Sequence, residues 1–168
     1  ALLNRTVATI PATHAREGHQ YPLGNLIADA QRWAGKGDVA IMNNGGIRTE
    51  LRAGDATYGS LFEIQPFGNI LYSLTMTGAR LRGLLEAMLS KSPPDDHVSG
   101  LTIKYYPSKP KGSRIASVTM ADGTPLSDAR TYRYIVNYFL STSRAGYHAA
   151  ELATSSRPPN IDDHATLI

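Results

Sequence analysis

The stretch from Leu23 to Gly46 constrains the fold most. Leu23, Leu26, Ile27, Ala30 and Ala34 recur at the spacing of one helix face, and Gly35 and Gly37 end that run. Asp38-Val39-Ala40-Ile41-Met42-Asn43 comes next, an apolar run bounded by polar residues and too short for a helix. It reads as a buried strand. The Gly45-Gly46 loop then leaves its C-terminal end. A helix, a buried strand and a glycine loop in that order call for a sheet covered by helices. In open α/β sheets, ligands sit just beyond the C-terminal ends of strands.

The rest of the chain fits that plan. Val7 to Ile10 reads as a short edge strand. Pro11 to Pro22 is a polar connection carrying His14, Arg16, Glu17 and His19, and Gly24-Asn25 opens the helix. Gly59 to Glu63 reads as one helical turn or two, and Ile70 to Met76 as a strand. Thr77 is the N-cap of a helix from Gly78 to Ser90, with Leu81, Leu84, Leu85, Met88 and Leu89 on its apolar face. Ser92-Pro93-Pro94-Asp95-Asp96 is a break. Strands follow at Leu101 to Tyr106, Arg114 to Met120 and Tyr132 to Tyr138, with Asp122-Gly123 as a hairpin turn between Met120 and Leu126. The tail from Ser155 is polar and Pro-interrupted, then turns toward a helix at Asp162. Helices early and strands late predict an α/β or α+β class, and 168 residues fit one domain.

Composition excludes several classes. No apolar run is long enough to span a membrane, so no membrane partner is expected. The start, Ala1-Leu2-Leu3-Asn4, lacks the long apolar run of a signal peptide and reads as the cut end of a longer protein. Net charge is +3 with a pI of about 9.2, and the Lys and Arg residues are dispersed. That balance suits a small anion as well as nucleic acid, but no basic run marks a nucleic-acid arm. The absence of cysteine excludes disulfides, Cys–zinc sites and thiol catalysis. It fits an exported bacterial protein or one from a hot environment.

Two motifs carry the chemistry: Asn43-Asn44-Gly45-Gly46-Ile47-Arg48 and Gln65-Pro66-Phe67-Gly68-Asn69. Glycines let backbone approach a ligand, and arginine offers a fork for phosphate or carboxylate. Arg48 reads as an anion clamp or as a surface arginine paired with Glu50 or Asp55. Asn43 and Asn44 orient a ligand or satisfy a turn. Phe67, between turn formers, is a stacking platform or a core anchor under a loop. Phe139 lies after the strand ending at Asn137-Tyr138, with Ser141, Thr142, Ser143 and Gly146 forming a flexible loop behind it. One face of a base stacks on Phe67 and the other on Phe139 in the binding reading. His14, His19, His97, His148 and His164 show no metal spacing, and no Gly-x-Ser-x-Gly elbow is present. Asp95-Asp96-His97 follows two prolines and reads as a solvated loop rather than a metal cluster. No catalytic residue and no metal site is assigned.

On these residues the chain resembles the C-terminal domain of the 5'-nucleotidase family, which includes periplasmic UDP-sugar hydrolases and animal ecto-5'-nucleotidases. The resemblance runs from about Leu23 to Tyr147. It rests on Leu23-Gly24-Asn25-Leu26-Ile27-Ala28-Asp29-Ala30, the two motifs above, Thr77-Gly78, Asn137-Tyr138-Phe139-Leu140 and Gly146-Tyr147. It implies a layered α/β/β/α domain with mixed sheets. It implies that this domain recognises a nucleotide or nucleoside and needs no cofactor of its own. A metallophosphatase domain earlier in the same chain would hold two divalent metals and the catalytic groups. Arg48 matches the arginine on the substrate's anionic group, and Phe67 and Phe139 match the two base-stacking phenylalanines. Asn43, Gly45 and Gly46 match the substrate loop, and Asn69 matches an asparagine that contacts the base. A periplasmic or extracellular location is also implied. The sequence departs from the pattern twice. Members carry Gly-Gly-Asp-Gly-Phe or Gly-Gly-Asp-Gly-Tyr where this chain has Ser143-Arg144-Ala145-Gly146-Tyr147, so Ala145 replaces the ribose-binding aspartate, while Arg144, as an added anion contact, and Tyr147 are substrate-binding candidates. Asn25 stands where bacterial members often carry arginine, and Arg16 or Glu17 falls near another substrate arginine. The alternatives are a thiosulfohydrolase-type domain and a non-catalytic cell-surface binding module.

Overall fold

The computed structural model describes residues 2–142, 149–157 and 161–168. In chain order the elements are β1 (Thr6–Ile10), α1 (Pro22–Ala34), β2 (Val39–Met42), β3 (Gly54–Thr57), α2 (Tyr58–Ile64), β4 (Leu71–Thr77), α3 (Gly78–Met88), β5 (His97–Ser99), β6 (Leu101–Tyr105), β7 (Ile115–Met120), β8 (Thr131–Asn137), α4 (Tyr138–Thr142), α5 (Ala149–Leu152) and β9 (Ser155–Arg157). Short 3-10 turns cover Asn44–Gly46 and His164–Leu167.

A mixed sheet in the order β5-β2-β8-β4-β9 forms the centre. Only the β2–β8 pair in it is parallel. Two antiparallel ribbons, β1–β3 and β6–β7, flank it. The strands alternate their side chains between two faces, as period 2 demands. Val39, Ile41, Leu74, Met76, Tyr134 and Val136 meet Leu81, Leu84, Leu85 and Met88 of α3 together with Val118 and Met120 of β7. Met42 joins a second cluster with Leu23, Ile27 and Ala28 of α1 and Leu61 and Ile64 of α2. The class is therefore mixed α/β, as expected.

Local chemistry accounts for most boundaries. Pro22 occupies the first turn of α1, where its missing N–H costs nothing. Thr77 caps α3 by accepting from the Arg80 backbone N–H at 3.4 Å, as its sequence position predicts. Thr57 and Ser60 form a reciprocal capping box on α2. The Asp122-Gly123 turn is present, with Gly123 at φ 83 and its N–H donating to the Met120 carbonyl at 2.9 Å.

Two expectations need correction. Asp95-Asp96-His97 is not a solvated loop: Asp96 and His97 are buried, and His97 begins β5, which pairs with β2. Lys91 neutralises the acidic pair, with its Nζ 2.8 Å from Asp96 and 3.3 Å from Asp95. Ser141 and Thr142 lie in α4, where their hydroxyls donate to the Tyr138 carbonyl at 2.8 and 3.0 Å. The tail adds β9 against β4, and the helix expected near Asp162 is the short 3-10 turn His164–Leu167.

Candidate functional site

The strand ends converge as the fold rule predicts. β2 delivers Asn43 and the Asn44–Gly46 turn, α2 runs into the Pro66-Phe67-Gly68-Asn69 loop, and β8 delivers α4. Asn43, Gly45, Gly46, Phe67, Asn69 and Phe139 line one mainly apolar cleft of about 240 Å³. Six of the nine predicted site residues thus share one concavity, which is the usual form of a small-molecule site.

Both phenylalanines face solvent. Phe67 is 53% exposed and Phe139 46%, so neither is a core anchor. Gly68 sits at φ 59, a backbone state that glycine adopts without strain, and this lets the loop turn directly after Phe67. Gly46 is closely packed: a Cβ there would lie 2.6 Å from Met42 Cε and 3.1 Å from Asn43 Oδ1, so both side chains would have to shift. Gly45 is different, since a Cβ would meet only Asn43 Nδ2 at 3.6 Å. Its missing side chain leaves room in the cleft rather than in the protein.

Arg48 borders this cleft from the loop. Its backbone N–H donates to the Ile64 carbonyl at 2.8 Å, and its Nη1 donates to the Gly45 carbonyl at 3.2 Å. The guanidinium carbon lies 5.9 Å from the Phe67 ring centroid, within cation–π range. The surface-pair reading does not hold. Glu50 pairs with Arg52 at 3.1 Å, and Asp55 accepts from Thr9 at 3.2 Å.

Buried polar residues hold the rim. Asn137, at the end of β8, donates through Nδ2 to Asn43 Oδ1 at 3.1 Å and accepts from the Leu140 N–H at 2.8 Å. One side chain thereby couples the β2 loop to the helix carrying Phe139. Asn69 Nδ2 donates to Asp163 at 3.2 Å, and the Asp163 N–H returns to the Asn69 carbonyl at 2.7 Å. Tyr21 donates its hydroxyl to Asn44 Oδ1 at 2.5 Å. The asparagines of the loop are therefore fixed by tertiary partners. Asn43 precedes the turn but does not cap it through its side chain.

Beneath this rim lies His97. Its ring meets Tyr21 edge-on at 4.4 Å between centroids and abuts Gly24. Neither ring nitrogen has a partner among the described residues. Burial lowers its pKa from 6.5 to about 4, so it is neutral at physiological pH. Burial likewise raises the Tyr21 pKa, with the Arg16 guanidinium opposing it.

Asn137, Tyr21, His97 and Asp163 are not marked as site residues by the sequence. Asn137 sits within a motif that carries the resemblance. Tyr21 and Asp163 give no local signal, because only the tertiary fold brings them to the rim, and His97 is signalled only within the Asp95-Asp96-His97 run that reads as a loop. Arg144 and Tyr147, with the Ala145 departure, fall outside the described residues. No helix among the described residues is long and apolar enough to cross a membrane. No group of three or more His, Asp or Glu among the described residues has the arrangement of a metal site.

The family described as "5'-nucleotidase, C-terminal domain" matches residues 5–151. The chain is 46% identical over 123 residues to Endonuclease YhcR of Bacillus subtilis (strain 168), a match covering 73% of this chain and 10% of that protein. It is 36% identical over 167 residues to the Cell wall protein Lmo0130 of Listeria monocytogenes serovar 1/2a, covering 89% of this chain and 21% of that protein. The 5'-nucleotidase precursor of Thermus thermophilus superposes with a TM-score of 0.88 at 28% identity, over 98% of this chain and 36% of that one. The chain spans a tenth to about a fifth of the length of these two curated relatives. With the fold, the cleft and these matches in agreement, the chain belongs to the 5'-nucleotidase C-terminal domain family.

Proposed function

We propose that this domain is the nucleotide-recognition part of a longer phosphoesterase. The observation that carries the reading is the pair of half-exposed rings, Phe67 and Phe139, on one cleft with Arg48 at its edge. A base placed between them stacks on both, which is worth about 1–3 kcal/mol per base. Asn69, held by Asp163, presents its remaining polar capacity to the base edge. Arg48 grips the phosphate with the fork that Gly45 only partly occupies. Asn43, Gly45 and Gly46 line the path between base and phosphate.

These residues bind and orient; bond cleavage belongs to a metal-bearing domain of the same polypeptide, and the isolated chain does not hydrolyse phosphate esters. Holding the ester in place supplies the positioning part of catalysis. A periplasmic or extracellular setting fits relatives such as the listerial cell wall protein. The test is calorimetric titration of the 168-residue chain with adenosine, AMP, UDP-glucose and inorganic phosphate, repeated for Arg48→Ala. AMP is expected to bind more tightly than adenosine, and Arg48→Ala to erase that difference. Equal affinities for adenosine and AMP in the wild type contradict the clamp. Phosphatase turnover by the chain with added divalent metal contradicts the division of labour.

A further inference from the structure

The cleft just described has a neighbour. Phe67, Gly68, Asn69, Ile70, Tyr72 and Tyr138 line a second concavity of about 320 Å³. Phe67 and Asn69 border both, so the Phe67 loop is the wall between them. Two of the residues lining the second cleft form a tyrosine pair. The Tyr72 and Tyr138 rings lie 5.8 Å apart with a 39° tilt. Tyr72 is fixed by its place in β4, opposite Val136 of β8. Tyr138 is fixed by its backbone N–H, which donates to the Ile70 carbonyl at 2.8 Å, while its ring remains 49% exposed.

Tyr138 and Phe139 are consecutive at the start of α4 and send their rings to different clefts. Phe67, Tyr138 and Phe139 are thus three half-exposed aromatics around two adjoining concavities, with Phe67 bordering both. A lone exposed aromatic needs no explanation, but such a cluster marks a binding surface. An aromatic wedge with an aromatic-lined space on either side is the arrangement by which proteins separate two successive bases.

We propose that the second cleft takes the neighbouring base of a ligand whose first base lies between Phe67 and Phe139. The ligand class is two nucleosides joined by a phosphodiester, with the linker passing around Phe67 and past Asn69. The proposal rests on the base-stacking reading of the first cleft and extends it from mononucleotides to dinucleotide units. Such a unit is a free dinucleotide or the end of a single strand, and the chemistry recognised is the same.

The test uses the 168-residue chain in calorimetric titrations with AMP, with pApA and with a 5'-phosphorylated strand of about ten adenylates. pApA is expected to bind about tenfold more tightly than AMP, since a second stacked base adds affinity of that order. Tyr138→Ala is expected to remove that gain and leave AMP unchanged, and Tyr138→Trp to retain it. The adenylate strand binding at least as well as pApA identifies a strand end as the source. Weaker binding of the strand identifies a free dinucleotide. The proposal is overturned if AMP binds and is weakened by Phe139→Ala while pApA binds no more tightly than AMP. It is also overturned if Tyr138→Ala weakens AMP and pApA equally. Failure of AMP itself to bind removes the base-stacking reading, and this proposal with it.

Discussion

Acid should weaken this fold through one residue. His97 is fully buried against Tyr21 and Gly24, and its pKa falls from 6.5 to about 4. Burial is the main cause. Asp95 opposes it and Arg16 adds to it. Above pH 6.5 the histidine is neutral in both folded and unfolded chains and contributes no pH dependence. Between pH 6.5 and 4 the unfolded chain takes up a proton that the folded chain refuses, so stability falls as pH falls. The slope approaches about 1.4 kcal/mol per pH unit, and the loss sums to about 3 kcal/mol by pH 4. That is a large share of the roughly 5–15 kcal/mol that holds a typical domain together. The comparison is with His97→Phe, which keeps a ring beside Tyr21 but cannot titrate. Urea unfolding followed by circular dichroism at several values between about pH 7.5 and 4.5 gives the stability of each protein. Carboxylates such as Asp122, whose pKa the Thr124 hydroxyl and N–H lower, titrate alike in both and cancel. The wild-type value minus the variant value should be flat above pH 6.5 and fall below it. A difference that stays constant down to about pH 4.5 refutes the reasoning.

Two further predictions concern the same layer. Gly24→Ala places a Cβ 2.3 Å from three atoms of the His97 ring, and overpacking of this kind costs about 1–3 kcal/mol. Calorimetric melting should show that loss, and it should shrink in a His97→Ala background. Tyr21→Phe removes the hydroxyl that Asn44 accepts and should cost about 1 kcal/mol of stability. AMP affinity in the same variant should drop several-fold as the Asn44–Gly46 turn loosens, read by the same titration.

The sequence already contains most of the scaffold. The α1–β2 unit, α3 with its Thr77 cap, and β7 with the Asp122-Gly123 turn that follows it each carry periodicity or turn chemistry that acts locally. β3 and β5 escape such a reading for a physical reason. Gly54-Asp55-Ala56-Thr57 has little intrinsic strand preference and is ordered by pairing with β1. His97-Val98-Ser99 follows two aspartates and is buried only because β2 and α1 cover it. The cleft is legible in part. Asn43, Gly45, Gly46, Phe67, Asn69 and Phe139 announce themselves through turn formers beside rings and amides. The groups that hold them, Tyr21, Asn137 and Asp163, act over sequence separations of 23, 94 and 94 residues, which no local pattern encodes.

The central claim is that Phe67 and Phe139 enclose a base. Its most direct test is AMP binding to the wild-type chain, Phe67→Ala and Phe139→Ala under identical conditions, with circular dichroism confirming the fold of each. Each truncation should cost about 1–3 kcal/mol, a loss of roughly five- to hundredfold in affinity. AMP binding to both variants as tightly as to the wild type would contradict the account.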